Sequence, residues 1–107
     1  MKRNIEFAVR LLGFIERNDH EGIGLYREEL RQLFENDPIS EEVPEDQTWV
    51  VVDYHLRLLE TAGFVAREAD IDGKIGEDNF ELTWAGHEYF ENNAPSGPVG
   101  DLKVRFL

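Results

Sequence analysis

A chain of 107 residues has room for one small hydrophobic core and is too short for a core plus a catalytic annex. Its 23 Asp and Glu against 11 Lys and Arg give a formal net charge of −12, which repels a polyanion such as duplex DNA at long range, although a local basic patch could survive. The absence of cysteine excludes disulfides, thiolate chemistry and Cys-type zinc sites, and no apolar run approaches the ~20 residues that a membrane span needs.

The 41% hydrophobic content, with seven Phe, three Tyr and two Trp, is that of a globular chain. The opening residues, Met1-Lys2-Arg3-Asn4-Ile5-Glu6, lack the apolar stretch and small-residue cleavage site of a signal peptide, so a cytoplasmic location is expected. The acidity itself has two readings: solubility in a salty cytoplasm, or a surface whose carboxylates are used.

Residues 1–19 predict a first helix, with Ile5, Ala8, Val9, Leu12 and Ile15 as its apolar stripe and Phe7, Leu11 and Phe14 widening it. Residues 22–26 predict a turn or very short strand of the kind that pairs with a later hairpin. Residues 26–34 predict a second helix burying Leu30, Leu33 and Phe34, stopped by Asn36-Asp37-Pro38. Residues 35–46 hold six acids and no base, interrupted by Pro38 and Pro44, and predict an exposed loop.

A third helix is expected from Asp46 or Thr48, either of which suits an N-cap. Trp49, Val52, Leu56 and Leu59 form one line, and Val51, His55, Leu58 and Ala62 an adjacent one, which together predict a broad buried face. Val50, Asp53, Tyr54, Arg57 and Glu60 are left outside. Ala62-Gly63-Phe64-Val65 then stops the helix and opens a strand. Residues 64–69 and 80–82 predict two wing strands joined by a reversing segment with Asp-Gly chemistry. Residues 83–91 predict a fourth helix capped by Thr83. Residues 92–107 form a Pro/Gly linker and a tail whose Leu102, Val104 and Phe106 alternate with Lys103 and Arg105 as in a strand. The order is α-β-α-α-β-β-α with a short C-terminal strand. That is an α+β winged helix-turn-helix domain over residues 1–91, followed by the 92–107 tail.

Two segments carry a family resemblance. Residues 54–65, YHLRLLETAGFV, with His55, Leu56 and Gly63, resemble the HLxxLxxAGLV segment of winged-helix repressors such as the arsenic-responsive regulators. Residues 82–90, LTWAGHEYF, with Thr83, Trp84, Gly86 and His87, are similar to an uncharacterised family of short bacterial and prophage-borne proteins. Those proteins begin Met-Lys-Arg, carry YHLxLL and close with LTWxGHEF. The resemblance covers most of residues 1–91. It implies a winged-helix fold and a phage or mobile-element setting, and brings no activity with it.

A winged-helix repressor reads bases with polar residues before and within its HLxxL segment, and its wing brings cations to the backbone. Here those places hold Trp49, Val50, Val51, Asp53 and Tyr54, and the wing offers Asp70, Asp72, Glu77 and Asp78 against Lys74. Trp49, Val50, Asp53, Tyr54, Arg57 and the four wing acids are therefore the candidate partner-binding residues. The partner expected is a protein, with mimicry of a nucleic acid to block a host defence factor as one route, or a second copy in a homodimer. The alternative is a DNA-binding transcriptional regulator, for which Lys2, Arg3, Arg10, Arg57 and Arg67 would have to cluster.

No catalytic constellation, cofactor loop or metal ligand set is predicted. His20, His55 and His87 lack the spacing of a helical zinc clamp, and His55 and His87 read as packing residues at the edge of the core. Trp84, Tyr89 and Phe90 read as core or dimer contacts. Gly22-Ile23-Gly24 lacks the rest of a phosphate-binding fingerprint.

Overall fold

Helix α1 spans Ile5–Asn18 in the computed structural model, which describes residues 1–94. It starts after Asn4 because that side chain caps it, its oxygen accepting the Phe7 N–H at 3.1 Å. Phe7, Ala8, Leu11, Leu12, Phe14 and Ile15 are buried along the expected stripe, whereas Ile5, in the first turn, is exposed. Strand β1, Leu25–Tyr26, then pairs antiparallel with a later strand, placing Leu25 opposite Phe80. Helix α2, Arg27–Glu35, follows directly. The Tyr26 N–H donates to Glu29 Oε1 at 2.9 Å, the return half of a capping box, and this ends the strand and starts the helix within one residue.

The acidic segment after α2 is not the plain exposed loop that its composition predicts. It forms two short 3₁₀ helices, Pro38–Glu42 and Glu45–Gln47, and puts Ile39 and Val43 into the core. Asp37 pins its start, accepting the Ile39 N–H at 2.9 Å and pairing with Arg10 of α1. Glu41, Glu42, Glu45 and Asp46 stay exposed. Two apolar side chains four residues apart are enough to anchor the segment while its acids remain in water.

Helix α3, Thr48–Thr61, has Gln47 at its N-cap and no side-chain cap bond, so neither Asp46 nor Thr48 plays that part. Val52, His55, Leu56 and Leu59 are buried as expected. The predicted face is narrower than its two lines of residues: Val51 and Leu58 are only partly buried and Ala62 is exposed. Trp49, placed by periodicity in the core line, is 43% exposed: it stands in the first turn and is no member of the core cluster. Gly63 takes φ +84° to end α3, a left-handed conformation that glycine adopts without a Cβ penalty.

Strands β2, Val65–Glu68, and β3, Asn79–Leu82, pair antiparallel with Val65 opposite Leu82, giving a three-stranded sheet of order β1-β3-β2. Helix α4, Trp84–Asn93, is capped by Thr83, whose hydroxyl oxygen accepts the Gly86 N–H at 3.0 Å. Asn92 and Asn93 are thus helix, not linker; the strand-like tail expected near the C-terminus lies outside the described residues. The core is one cluster drawn from α1, α2, α3, the sheet and the 3₁₀ segment, with Phe34 and Phe80 its largest fully buried members. This is the winged-helix order predicted above. None of the described helices is long and apolar enough to cross a membrane.

Gly86 is where α4 meets the turn between α3 and β2. A Cβ there would collide with the Phe64 carbonyl oxygen, a backbone atom that cannot step aside. Gly86→Ala should therefore destabilise the domain by roughly 1–3 kcal/mol, read as a lowered urea midpoint. Ala85→Gly, one residue away at an exposed helical position, should cost no more than about 1 kcal/mol.

Candidate recognition face of the third helix and wing

The residues nominated as a partner face do not all point outward. Asp53, on α3, turns toward α2: its two carboxylate oxygens receive Arg31 Nε at 3.1 Å and Arg31 Nη2 at 2.7 Å, and Arg27 Nη1 lies 3.1 Å away. Asp78, expected on the wing surface, is 5% exposed at the foot of the wing. Its carboxylate binds Arg27 through Nε at 2.9 Å and Nη2 at 2.6 Å, and accepts Arg67 Nε at 2.7 Å. Asp78 leaves the set of candidate contact residues for that reason, and Asp53 is half-buried. Backbone bonds reinforce the junction: the Arg27 N–H donates to the Asp78 carbonyl at 2.9 Å and the Glu28 N–H to the Gly76 carbonyl at 3.0 Å.

Three guanidinium groups and two carboxylates thus form one chain of ion pairs joining α2, α3, β2 and the foot of the wing. The arginines are packed as well as paired. Arg27 lies over the Phe80 ring at 5.0 Å and Arg31 over the Trp49 ring at 4.8 Å, so the Trp49 indole is steadied although it is open to solvent. Nothing in the hydrophobic pattern announced this network. The signal that could have found it is the i, i+4 spacing of Arg27 and Arg31 on α2, which puts two cations on one helical face opposite Asp53.

Around the network are two clefts. One, of about 260 Å³, lies between α2 and the wing and is bounded by Arg27, Arg31, Arg67, Lys74 and Asp78. The other, of about 560 Å³, runs along α3 past Val50, Tyr54, Arg57 and Glu60 to Met1. Arg57 and Arg67 do share this second cleft, as the DNA alternative requires, but Arg10 is held elsewhere by Asp37. Apart from these cations the face is apolar and acidic. Val50 is half-exposed, and Ile71 and Ile75 on the wing are 95% and 89% exposed. Asp72 and Glu77 are open to solvent, while Asp70 is occupied by the wing turn, accepting the N–H groups of Asp72 and Lys74 at 3.0 and 3.1 Å.

The motif residues divide in the same way. His55, Leu56 and Gly86 are buried, and Gly63 and Thr83 act at helix ends. His87 and Trp84 are exposed, so His87 is not the packing residue expected of it and Trp84 is not part of the core. Tyr89 and Phe90 do reach the core edge, Tyr89 stacking on Phe64 with centroids 4.4 Å apart. Among the described residues no group of three or more His, Asp or Glu is arranged to hold a metal ion.

Burial alone would raise the Asp78 carboxyl, but hydrogen bonds and charge from Arg27 and then Arg67 outweigh it and lower the group from 3.8 to about 2. A folded-state value below the unfolded one means stability that is present above pH 3.8 and lost as pH falls toward 2. Wild type should lose about 2 kcal/mol through this group over that window, and Asp78→Asn should lack that part of the acid limb. At neutral pH the same variant should cost about 2–3 kcal/mol, since it takes the carboxylate from Arg67 and leaves Arg27 with Asp53 alone. Urea unfolding across pH checks both.

No family model matches the sequence, and no curated protein does. Among solved structures the fold is similar to that of a point mutant of MepR from a multidrug-resistant S. aureus clinical isolate, with a TM-score of 0.61 at 17% sequence identity. The alignment covers 95% of this chain and 64% of the MepR chain, so this chain spans less than two thirds of its neighbour. The likeness extends across nearly all of the sequence, and what it establishes is the winged-helix fold.

Proposed function

We propose that the protein is a non-enzymatic regulatory winged-helix domain that binds a protein partner with its third helix and wing. One arrangement supports this reading: Arg27 and Arg31 of α2 and Arg67 of β2 are all engaged by Asp53 or Asp78. What remains facing outward is Trp49, Val50, Ile71 and Ile75, with the acids Asp72 and Glu77 and those of the 3₁₀ segment against the exposed cations Arg57 and Lys74. Exposed apolar anchors on a chain whose exposed acids outnumber its exposed bases fit a partner with a basic, partly apolar groove. A second copy of the chain is one partner such a face can take. A phage or mobile-element origin, with mimicry of a nucleic acid, rests on the motif resemblance and on this acidic surface.

The second reading is a DNA-binding winged-helix regulator. It is favoured by the fold shared with MepR across 95% of the chain, which speaks for it more directly than any comparison speaks for a protein partner. Arg57 and Arg67 along one cleft, with Lys2 and Arg3 exposed nearby in sequence to Met1, are the cations it would use.

Fluorescence anisotropy with a random duplex at low salt separates the two. The protein-partner reading expects binding weaker than the roughly 10⁻⁴–10⁻⁶ M typical of non-specific DNA contacts. Tight retention that falls steeply with added salt would establish the second reading in its place. In a pull-down from the native host, Trp49→Ser with Val50→Ser should reduce partner recovery about tenfold or more while lowering the unfolding free energy by no more than about 1–2 kcal/mol, the lost Arg31 contact included.

A further inference from the structure

Residues 1–4 lie along the flank of α3, held there by two side chains of that helix. The Tyr54 hydroxyl donates to the Met1 carbonyl at 3.1 Å, and the Asn4 N–H donates to His55 Nε2 at 2.9 Å. His55 is 1% exposed, and its Nδ1 lies 2.8 Å from the Val51 carbonyl oxygen. A carbonyl oxygen only accepts, so Nδ1 carries the ring proton and Nε2 is the bare acceptor that Asn4 requires. Both ring nitrogens are therefore spent in one neutral tautomer. A second proton could go only to Nε2, where it would face the Asn4 N–H donor to donor.

Asn4 has two parts in this arrangement. Its N–H is the arm's link to His55, and its side chain caps α1 through the Phe7 N–H. The ring's other neighbours carry no charge that would hold an imidazolium. From α1 it meets the Phe7 ring edge-on at 5.6 Å, and from its own helix the Tyr54 ring at 5.2 Å. The Tyr54 phenol is the one titratable group in ring contact; Lys2, Arg3 and Glu6 on the arm and first turn of α1 are exposed, and no ion pair reaches the ring among the described residues.

We propose that His55 is a proton-operated latch: neutral, it holds residues 1–4 against α3; protonated, it releases them, loosening the cap of α1 and opening the Met1 end of the cleft along Val50, Tyr54 and Arg57. Burial lowers the imidazole from its ordinary 6.5, the Val51 carbonyl offsetting only part of this, so the latch is closed at neutral pH. The sign follows from that direction. The folded form prefers the neutral ring, so the arm's attachment is complete above pH 6.5 and is lost as pH falls through the lower folded-state value. The cleft belongs to the face assigned above to a partner, so a pH-dependent partner affinity would rest on that assignment, whereas release of the arm does not.

NMR of the whole chain without any partner tests the latch, following the ring nitrogens of all three histidines and backbone amide exchange from about pH 7.5 to pH 5. The expected result is the Nδ1–H tautomer at His55 and one midpoint, below 6.5, shared by the ring and the Asn4 amide. Asn4 protection should fall by about tenfold or more across that midpoint while the Leu12 and Leu56 amides keep theirs. His55→Gln, which keeps an acceptor that does not titrate, should hold Asn4 protected throughout. His55→Phe, which keeps the ring and removes the acceptor, should leave Asn4 exchanging fast throughout; should it fail to fold, wild type and His55→Gln still decide. The opposite tautomer, an Asn4 amide that stays protected once the ring is charged, or loss of core protection at the same midpoint would each overturn the latch.

Discussion

The Asp78 carboxylate is the joint on which the arrangement of this domain turns. It is buried at the foot of the wing, and burial of an unpaired carboxylate is costly enough that the surrounding chain must supply donors. Arg27 comes from the first residue of α2 and Arg67 from β2, so satisfying one side chain sets the wing's position relative to two other elements. Asp53 then extends the same chain of pairs to α3 through Arg27 and Arg31. The helix pair and the wing, already joined through the shared core and through backbone bonds, are thus tied by charge as well.

That tie has a consequence for what the surface can do. Winged helices that grip a nucleic acid need cations directed outward, and here Arg27 and Arg31 are tied to Asp53 and Asp78 and lie over Phe80 and Trp49. Their charge is neutralised within the fold and their apolar stems are covered. The outward groups are the open edge of Trp49, a valine, two wing isoleucines and a set of carboxylates, with Arg57 and Lys74 as the exposed cations among them. The −12 net charge and the internal use of arginine act in the same direction, since three cations are paired within the network against two carboxylates.

His55 shows a different way to bury a polar group. Each nitrogen has one fixed partner and neither partner is charged, so the ring is satisfied in only one protonation state. A group of this kind is silent at neutral pH and becomes a source of local strain when protonated. Its place in the YHLxLL segment is consistent with a structural duty between α1 and α3. Its dependence on the Asn4 amide, outside that segment, is what ties it to the start of the chain.

Much of the fold was open to a reader of residues alone. Leu12, Val52, Leu56 and Phe34 fall on stripes of helical period, and Gly63 and Thr83 act at helix ends by backbone and hydroxyl chemistry that is local to the chain. Local patterns were misleading where a long-range neighbour decides. Trp49 continues the α3 stripe but meets the Arg31 guanidinium and not the core, and Ile39 and Val43 sit in an acidic stretch yet find the core. His87 and Trp84 share a motif with Gly86, but it is Gly86 that sits against the backbone of Phe64. The recognition face was the least legible part. Asp53 and Asp78 look identical in sequence to the acids that stay in water, and their orientation depends on arginines 11 to 51 positions away. Periodicity and terminator chemistry are short-range properties, so the sequence by itself determined the elements and their order. Ion pairing across elements needs the elements already assembled, so only the tertiary structure decided which charges face a partner.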